Sequence, residues 1–183
     1  MNARVLPLIA ALLVSPLSAR AQAPSSCADL DACRAALRSG HYEVAERGLS
    51  SLRRGRGGAE ATVALARLQL ITGRYAEAAE LARPLSQRGA AQVDAATVLG
   101  EAEMARGRLD EAQRAFESVI GEPAAHRARV MLGRLLMRRG EERAAQMPLM
   151  ALVQAYNDET IGDRDAEGLA YVAMAADMLD SPH

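Results

Sequence analysis

The feature that most constrains this chain is a repeat of 33 or 34 residues. Its marks are a glycine, a small residue seven positions earlier and an alanine five positions later. The glycines are Gly40, Gly73, Gly107 and Gly140; the small residues are Cys33, Ala66, Gly100 and Gly133; the alanines are Ala45, Ala78, Ala112 and Ala145. Apolar residues between these marks recur every three or four positions, which is helical spacing. The pattern predicts four helical hairpins that turn at glycine, where small side chains let the two helices approach closely.

Composition supports an all-α fold. Half of the residues are hydrophobic and only 3% are aromatic, so Ala, Leu, Val and Met must build the core. Alanine and leucine favour helices, whereas strands draw on β-branched and aromatic residues. Three of the five aromatic rings, those of Tyr42, Tyr75 and Phe116, fall at predicted packing positions. The net charge of -1 argues against a nucleic-acid-binding surface.

Several motifs in these units are similar to those of the tetratricopeptide repeat family. They are Tyr75-Ala76-Glu77-Ala78-Ala79, Leu109-Asp110-Glu111-Ala112 and the pairs Leu99-Gly100 and Leu132-Gly133. The resemblance covers residues 28–157. It implies a right-handed superhelical solenoid of tandem antiparallel helical hairpins that acts as a protein-interaction scaffold. The sequence departs from the family where Pro84 and Pro148 fall inside predicted second helices, and each is expected to kink its helix.

The resemblance also implies a concave groove lined by the first helix of each hairpin. The expected groove residues are Leu30, Arg34, Leu37, Val63, Arg67, Leu70, Thr97, Glu101, Met104, Val130, Arg134 and Met137. An apolar stripe interrupted by arginines fits an amphipathic helix or extended peptide with acidic groups. The alternative is that the apolar residues are core and that the arginines only keep the surface soluble.

The N-terminus has the three parts of a secretory signal peptide. A basic start precedes the apolar run Val5 to Leu17, and Ala19-Arg20-Ala21 is a small-x-small cleavage site. We therefore expect residues 1–21 to be removed, residues 22–27 to form a lead-in, and the mature protein to be soluble. Its expected location is the periplasm or cell envelope of a bacterium, with secretion as the alternative.

Export to an oxidising compartment makes a bond between Cys27 and Cys33 possible. Six residues apart within one helix, their side chains would point in different directions and could not bond. A disulfide therefore requires Cys27 to precede the helix, with Ser26, Asp29 or Asp31 as its cap. The alternative is a buried Cys33 with a free Cys27.

Residues 158–183 break the repeat. A polar loop leads to an alanine-rich helix predicted over residues 166–179, where Val172 and Ala173 match Leu132 and Gly133. This helix looks like the first half of a fifth, incomplete hairpin. It could be a cap, a docking surface, a site of homo-oligomerisation or the start of a continuing chain. The region also resembles the early part of large exported bacterial repeat proteins, some of which carry a peptidase MA-like zinc domain.

Catalytic motifs are not evident. The sequence holds no His-Glu-x-x-His, no Gly-x-Ser-x-Gly and no phosphate-binding glycine loop. We therefore expect no catalytic residues, no metal and no cofactor. The predicted function is an exported adaptor that binds a protein or peptide in its groove. The alternative is an N-terminal module of a larger exported enzyme, such as a metallopeptidase.

Overall fold

The computed structural model describes residues 26–55 and 57–180, and the described residues are all-α. Among them are nine α-helices, one short 3-10 helix and no strand. The α-helices are α1 Leu30–Arg38, α2 Tyr42–Leu52, α3 Gly58–Ile71, α4 Tyr75–Ala82, α5 Gln92–Ala105, α6 Leu109–Glu117, α7 His126–Arg138, α8 Glu142–Asn157 and α9 Ala166–Asp180; the 3-10 helix is Arg83–Leu85. The predicted signal peptide, residues 1–21, lies outside the described residues.

The four repeat glycines form four nearly identical turns. Their φ angles are 76°, 81°, 77° and 74°, in the left-handed region that glycine adopts without a steric penalty. In each turn the amide after the glycine donates to the carbonyl five residues earlier, as from His41 N to Ala36 O over 2.9 Å. The same residue's carbonyl then accepts the first bond of the next helix, from Ala45 N over 3.1 Å. One residue thus ends one helix and begins the next.

Small and large side chains interlock between the two helices of a hairpin. A Cβ added at Gly100 would lie 2.7 Å from Cδ1 of Phe116, and one added at Gly133 would lie 2.7 Å from Cγ of Leu149. Phe116 and Leu149 are fully buried, as are the four repeat alanines. The partner of the small residue stands nine positions after the turn glycine. In the third and fourth hairpins the two helices therefore touch where the first has no side chain and the second has a large one.

Packing follows the order of the chain. Each α-helix contacts the next one, and the odd-numbered helices also contact each other, α1 with α3, α3 with α5, α5 with α7 and α7 with α9. The buried residues form four apolar clusters, centred in chain order on Leu49, Val98, Phe116 and Leu152. The core is therefore a row of small cores rather than one large one.

The two prolines behave differently. After α4 ends at Ala82, Pro84 lies within the 3-10 helix Arg83–Leu85. At Pro148 the α-helix is continuous from Glu142 to Asn157, and the proline is buried in the interior of α8. The expected interruption of a second helix is therefore found at Pro84, whereas α8 keeps its full length.

The tyrosines do not pack as predicted. Tyr42 and Tyr75 each keep 38% of their surface exposed, whereas Phe116 is fully buried. Each tyrosine is the first residue of its helix, next to the turn, where fewer neighbours surround a side chain.

Arg129 ties the loop of residues 118–125 to the fourth hairpin. Its guanidinium donates to the carbonyls of Ile120 (3.0 Å), Glu122 (2.9 Å) and Pro123 (3.4 Å). Burial lowers the pKa of Arg129, and the carbonyl oxygens replace the water that it loses. These hydrogen bonds fix the position of α7 relative to the loop that connects it to α6.

Candidate functional site

Cys27 and Cys33 form a disulfide at the start of α1, with Cα atoms 5.1 Å apart. Cys27 precedes the helix, and Asp29 is the residue that caps it, accepting from Ala32 N at 2.8 Å. A Cβ added at Gly48 of α2 would lie 2.7 Å from Cys33 Sγ. The bonded sulfurs therefore occupy the space that Gly48 leaves free and hold the lead-in against α2.

A cavity of about 580 Å³ opens where α1, α3 and the start of α5 meet, and we call it the arginine cavity. It also reaches Glu167 of α9, although α9 is far away in sequence. Its lining consists of Arg34, Leu37, Arg38, Glu60, Val63, Ala64, Arg67, Ile71, Ala90, Ala91, Asp94 and Glu167. An apolar floor surrounded by charged groups of both signs can take an apolar side chain and a nearby charge.

The three arginines of the arginine cavity have weak ion-pair partners or none among the described residues. Arg34 lies 3.5 Å from Asp31 and Arg67 lies 3.7 Å from Asp94, and all four side chains are at least one-third exposed. Within residues 26–55 and 57–180, Arg38 has no ion-pair or hydrogen-bond partner. Exposed pairs of this kind contribute at most about 1 kcal/mol. A ligand carboxylate could therefore replace these partners at little cost.

A second cavity, about 290 Å³, adjoins the first and shares Arg67, Asp94 and Glu167 with it. We call it the tyrosine cavity, because Tyr171 of α9 forms part of its wall. Its other lining residues are Val93, Thr97, Ala124, His126, Arg127 and Asp165. The two cavities together follow the odd-numbered helices from α1 to α9.

Arg127 is the fixed cation of the tyrosine cavity. Its guanidinium donates two parallel hydrogen bonds to Glu101, at 2.5 and 2.7 Å, and a longer one of 3.4 Å to the Tyr171 hydroxyl. The bonds to Glu101 raise the pKa of Arg127 above its ordinary value despite burial. Tyr171 in turn donates to Glu167 at 3.3 Å. This chain of contacts links α5, α7 and α9.

His126 lines the same cavity and is half-buried. Its Nδ1 atom is buried and has no hydrogen-bond partner among the described residues. Burial, and then the charge of Arg129, lower the pKa of His126, while Asp165 and Glu167 oppose them. The neutral imidazole is therefore favoured in the folded protein.

The structure places only part of the predicted groove around these cavities. Arg34, Leu37, Val63 and Arg67 line the arginine cavity, and Arg67 and Thr97 line the tyrosine cavity. Glu101 forms an ion pair with Arg127. The remaining predicted residues line neither cavity: Leu30, Leu70, Met104, Val130, Arg134 and Met137.

Val130 is a correction, because it is fully buried in the cluster that joins α7, α8 and α9 and cannot contact a partner. Val63 and Thr97, at 5% and 3% exposed, contribute floor rather than open surface. Leu30, Leu70, Met104 and Met137 are half-buried and pack against the apolar clusters. Arg134 is exposed.

Sequence reasoning missed a cluster around Glu103, a fully buried carboxylate of α5. It contacts three arginines, Arg83 at 2.6 Å, Arg106 at 3.1 Å and Arg108 at 3.4 Å. These come from the 3-10 helix, the end of α5 and the turn before α6. The cluster thus ties the second hairpin to the third. Arg106 and Arg108 lie within six positions of Glu103, and Arg83 lies in the preceding unit. Such a spacing is only a weak sequence signal for a buried cluster.

The described part of the chain holds no group of three or more His, Cys, Asp or Glu side chains placed to bind a metal. No helix in that same part is long and apolar enough to cross a bilayer. A comparison with models of known protein families matched none of them, and a comparison with curated proteins found no similar sequence.

Proposed function

We propose that this chain is an exported scaffold of the tetratricopeptide type that binds an acidic, partly apolar peptide segment in the arginine cavity. The observation that carries the proposal is the cavity itself, in which three arginines surround an apolar floor between successive first helices. The solenoid is supported by the contacts between consecutive odd-numbered helices and by four equivalent turns. Stacked hairpins of this kind present extended binding surfaces.

The floor of the cavity supplies the apolar part of recognition. Leu37, Val63 and Ala91 are buried or half-buried there, while Ile71 at the rim keeps 54% of its surface exposed. A leucine or valine side chain of a ligand would cover Ile71 and gain about 1.5–3 kcal/mol from its own burial. The cavity volume of about 580 Å³ accommodates a few residues of an extended peptide.

The arginines supply the charged part. Arg38 has no partner among the described residues, and Arg34 and Arg67 hold theirs loosely. A ligand carboxylate can form two parallel hydrogen bonds with a guanidinium, which an ammonium group cannot offer in the same geometry. Since Glu60, Asp94 and Glu167 repel further negative charge, one or two carboxylates fit better than an acidic run.

The test is selection of binders from a random peptide display library with the purified mature protein, followed by affinity measurements on synthetic peptides. We expect the selected peptides to share a carboxylate within a few residues of a branched apolar side chain. Arg38→Glu and Ile71→Glu should each weaken their binding about ten-fold or more, because a contact is lost and a repulsion or polar mismatch replaces it.

Arg143→Glu is the matched control. Arg143 is an exposed arginine of α8 that lines neither cavity. It should bind the selected peptides as the parent does. The proposal is contradicted if the selected peptides lack carboxylates, or if Arg38→Glu and Arg143→Glu bind them equally well.

Export is supported by the disulfide, because stable structural disulfides form mainly in oxidising compartments. Expression of the full chain in bacteria, fractionation and mass measurement of the intact protein test this. We expect a periplasmic protein that begins at Gln22 and carries a bonded Cys27 and Cys33. A cytoplasmic protein that keeps its first 21 residues would contradict it.

A further inference from the structure

The arginines around Glu103 carry more charge than that carboxylate can neutralise. Arg83, Arg106 and Arg108 all contact the fully buried Glu103, and no other carboxylate in the described part of the chain forms an ion pair with any of them. Arg83 and Arg106 donate to the same oxygen, Glu103 Oε1, at 2.6 and 3.3 Å, so the two guanidinium groups lie close together. The cluster therefore has an excess of two positive charges, too close together for salt to screen one from the other.

A cavity of about 530 Å³ opens beside this cluster, between the second and third hairpins, and we call it the inter-hairpin cavity. Arg83 belongs to both, because it contacts Glu103 and also lines the cavity. The buried Leu99 and Ala115 supply the apolar part of the lining. The inter-hairpin cavity shares no lining residue with the arginine cavity or the tyrosine cavity, so it is a separate candidate site.

The polar lining of the inter-hairpin cavity is rich in hydrogen-bond donors that have no strong partner. The side-chain amides of Gln87 and Gln92 make no hydrogen bond within the described ranges, and each amide has two N–H donors. Arg114 has only an exposed ion pair with Glu111, at 3.4 Å. Arg83 uses its Nη2 atom on the buried carboxylate and keeps further N–H donors. Donors from the second and third hairpins thus line one cavity, and this chemistry fits an oxyanion.

Charge indicates which oxyanion fits. The charged residues that line the cavity are Arg83, Glu111 and Arg114. Together with Glu103 and its other two partners, four arginines face two carboxylates, an excess of two positive charges. A phosphate dianion balances this excess, whereas a single carboxylate balances half of it. Phosphate oxygens also accept two parallel hydrogen bonds from a planar guanidinium and leave further oxygens for amide donors.

We propose that the inter-hairpin cavity binds a phosphate group, either inorganic phosphate or the monoester of a small molecule. Arg83, which follows α4, and Arg114 of α6 donate to the phosphate oxygens from the two hairpins. The amides of Gln87 and Gln92 donate to the oxygens that remain, and the apolar surface of Leu99 limits the access of water, which strengthens the charge interactions. Bound phosphate therefore bridges the second and third hairpins. This site does not depend on peptide binding in the arginine cavity.

Isothermal titration calorimetry of the purified protein with inorganic phosphate, glycerol 2-phosphate and acetate tests the proposal. We expect at least one of the two phosphate compounds to bind about ten-fold or more tightly than acetate, which carries one negative charge. Tighter binding of glycerol 2-phosphate than of inorganic phosphate assigns the site to a monoester, and the reverse order assigns it to the free ion. Binding should strengthen from about pH 5 to about pH 7, because the phosphate gains its second negative charge over this range.

Three protein variants locate the binding. Arg114→Glu replaces a donor with a repelling carboxylate, so it should weaken phosphate binding about ten-fold or more. Arg143→Glu makes the same charge change at an exposed position that does not line the cavity, and it should bind phosphate as the parent does. Glu111→Gln removes a carboxylate from the lining and should tighten binding about three-fold or more, an effect that a purely structural role would not produce. Circular dichroism should show the parent's helix content in all three variants.

The proposal is overturned if neither phosphate compound binds more tightly than acetate, if Arg114→Glu and Arg143→Glu bind phosphate equally well, or if Glu111→Gln fails to tighten binding. Arg38→Glu in the arginine cavity should leave phosphate binding unchanged. If Arg38→Glu weakens phosphate binding as much as Arg114→Glu does, the anion belongs to the arginine cavity and the proposal is wrong. Selection of acidic peptides does not bear on the inter-hairpin cavity, so the two proposals fail separately.

Discussion

The first and third hairpins share one turn geometry but are stabilised by different means. α1 has nine residues, of which only Cys33 is buried, and the disulfide beside Gly48 holds it to α2. α5 has fourteen residues, of which nine are buried, and it packs on Phe116 without any covalent bond. The first repeat, which has few apolar contacts, thus uses a covalent link where an interior repeat, packed on both sides, uses burial.

The largest effect is expected from Phe116→Ala in the third hairpin. The fully buried ring fills the space above Gly100, so its removal leaves a cavity and should cost about 3–5 kcal/mol. Urea unfolding followed by circular dichroism measures the loss. Leu109→Ala, in the same helix but 37% exposed, is the control and should cost less than about 1.5 kcal/mol. Equal losses would mean that the third hairpin does not depend on this contact.

Removing the disulfide should affect the first hairpin alone. Cys27→Ala removes the cross-link that closes a loop of seven residues. The unfolded chain gains entropy, which should lower the free energy of unfolding by about 2 kcal/mol. Hydrogen exchange should become faster in α1 and α2 and stay unchanged in α5 and α6, because repeats interact mainly with their neighbours. Faster exchange throughout the chain would show that the first hairpin supports the whole array.

Glu103→Gln should destabilise the junction of the second and third hairpins by about 1–2 kcal/mol. The buried carboxylate loses its charge, but Arg83 and Arg108 are about half exposed and can turn to water, which limits the cost. Glu111→Gln is the control, since Glu111 pairs with Arg114 on the surface at 3.4 Å. If the two variants melt at the same temperature, the cluster contributes no more than a surface pair.

The smallest effect concerns pH and the fourth hairpin. Because the folded protein lowers the pKa of His126 below its ordinary value of 6.5, the unfolded chain takes up this proton first as the pH falls. The contribution of His126 is therefore complete above pH 6.5 and is lost progressively below it. His126→Gln should flatten the fall in melting temperature from pH 7 towards pH 5. An unchanged slope in this variant would contradict the interpretation.

The sequence was sufficient to predict the hairpins, because the residues that define each hairpin lie close together in the chain. Gly40, the small residue before it and the alanine after it all lie within one unit, and backbone geometry at such a turn depends on few neighbours. The predicted all-α fold is confirmed among the described residues. Of the possible caps before α1, Asp29 is the one that the structure uses.

The candidate site was predicted only in part, because it depends on how several hairpins stack. Glu167 and Tyr171 reach the cavities through the accumulated angles between five first helices, and no local period records those angles. Val63 and Val130 occupy the same repeat position, yet only Val63 borders a cavity, since α8 and α9 cover Val130. Glu103 was missed because its three arginines come from different elements.

The four turns have a consequence for how such a chain can change. None of the helices that follow these turns has a side-chain hydrogen bond at its N-cap. The N-cap residues, His41, Arg74, Arg108 and Glu141, therefore connect the two helices through backbone hydrogen bonds alone. A segment that runs from one turn to the next therefore begins and ends with the same backbone connection. Whole units of 33 or 34 residues can therefore be duplicated, deleted or exchanged at these turns.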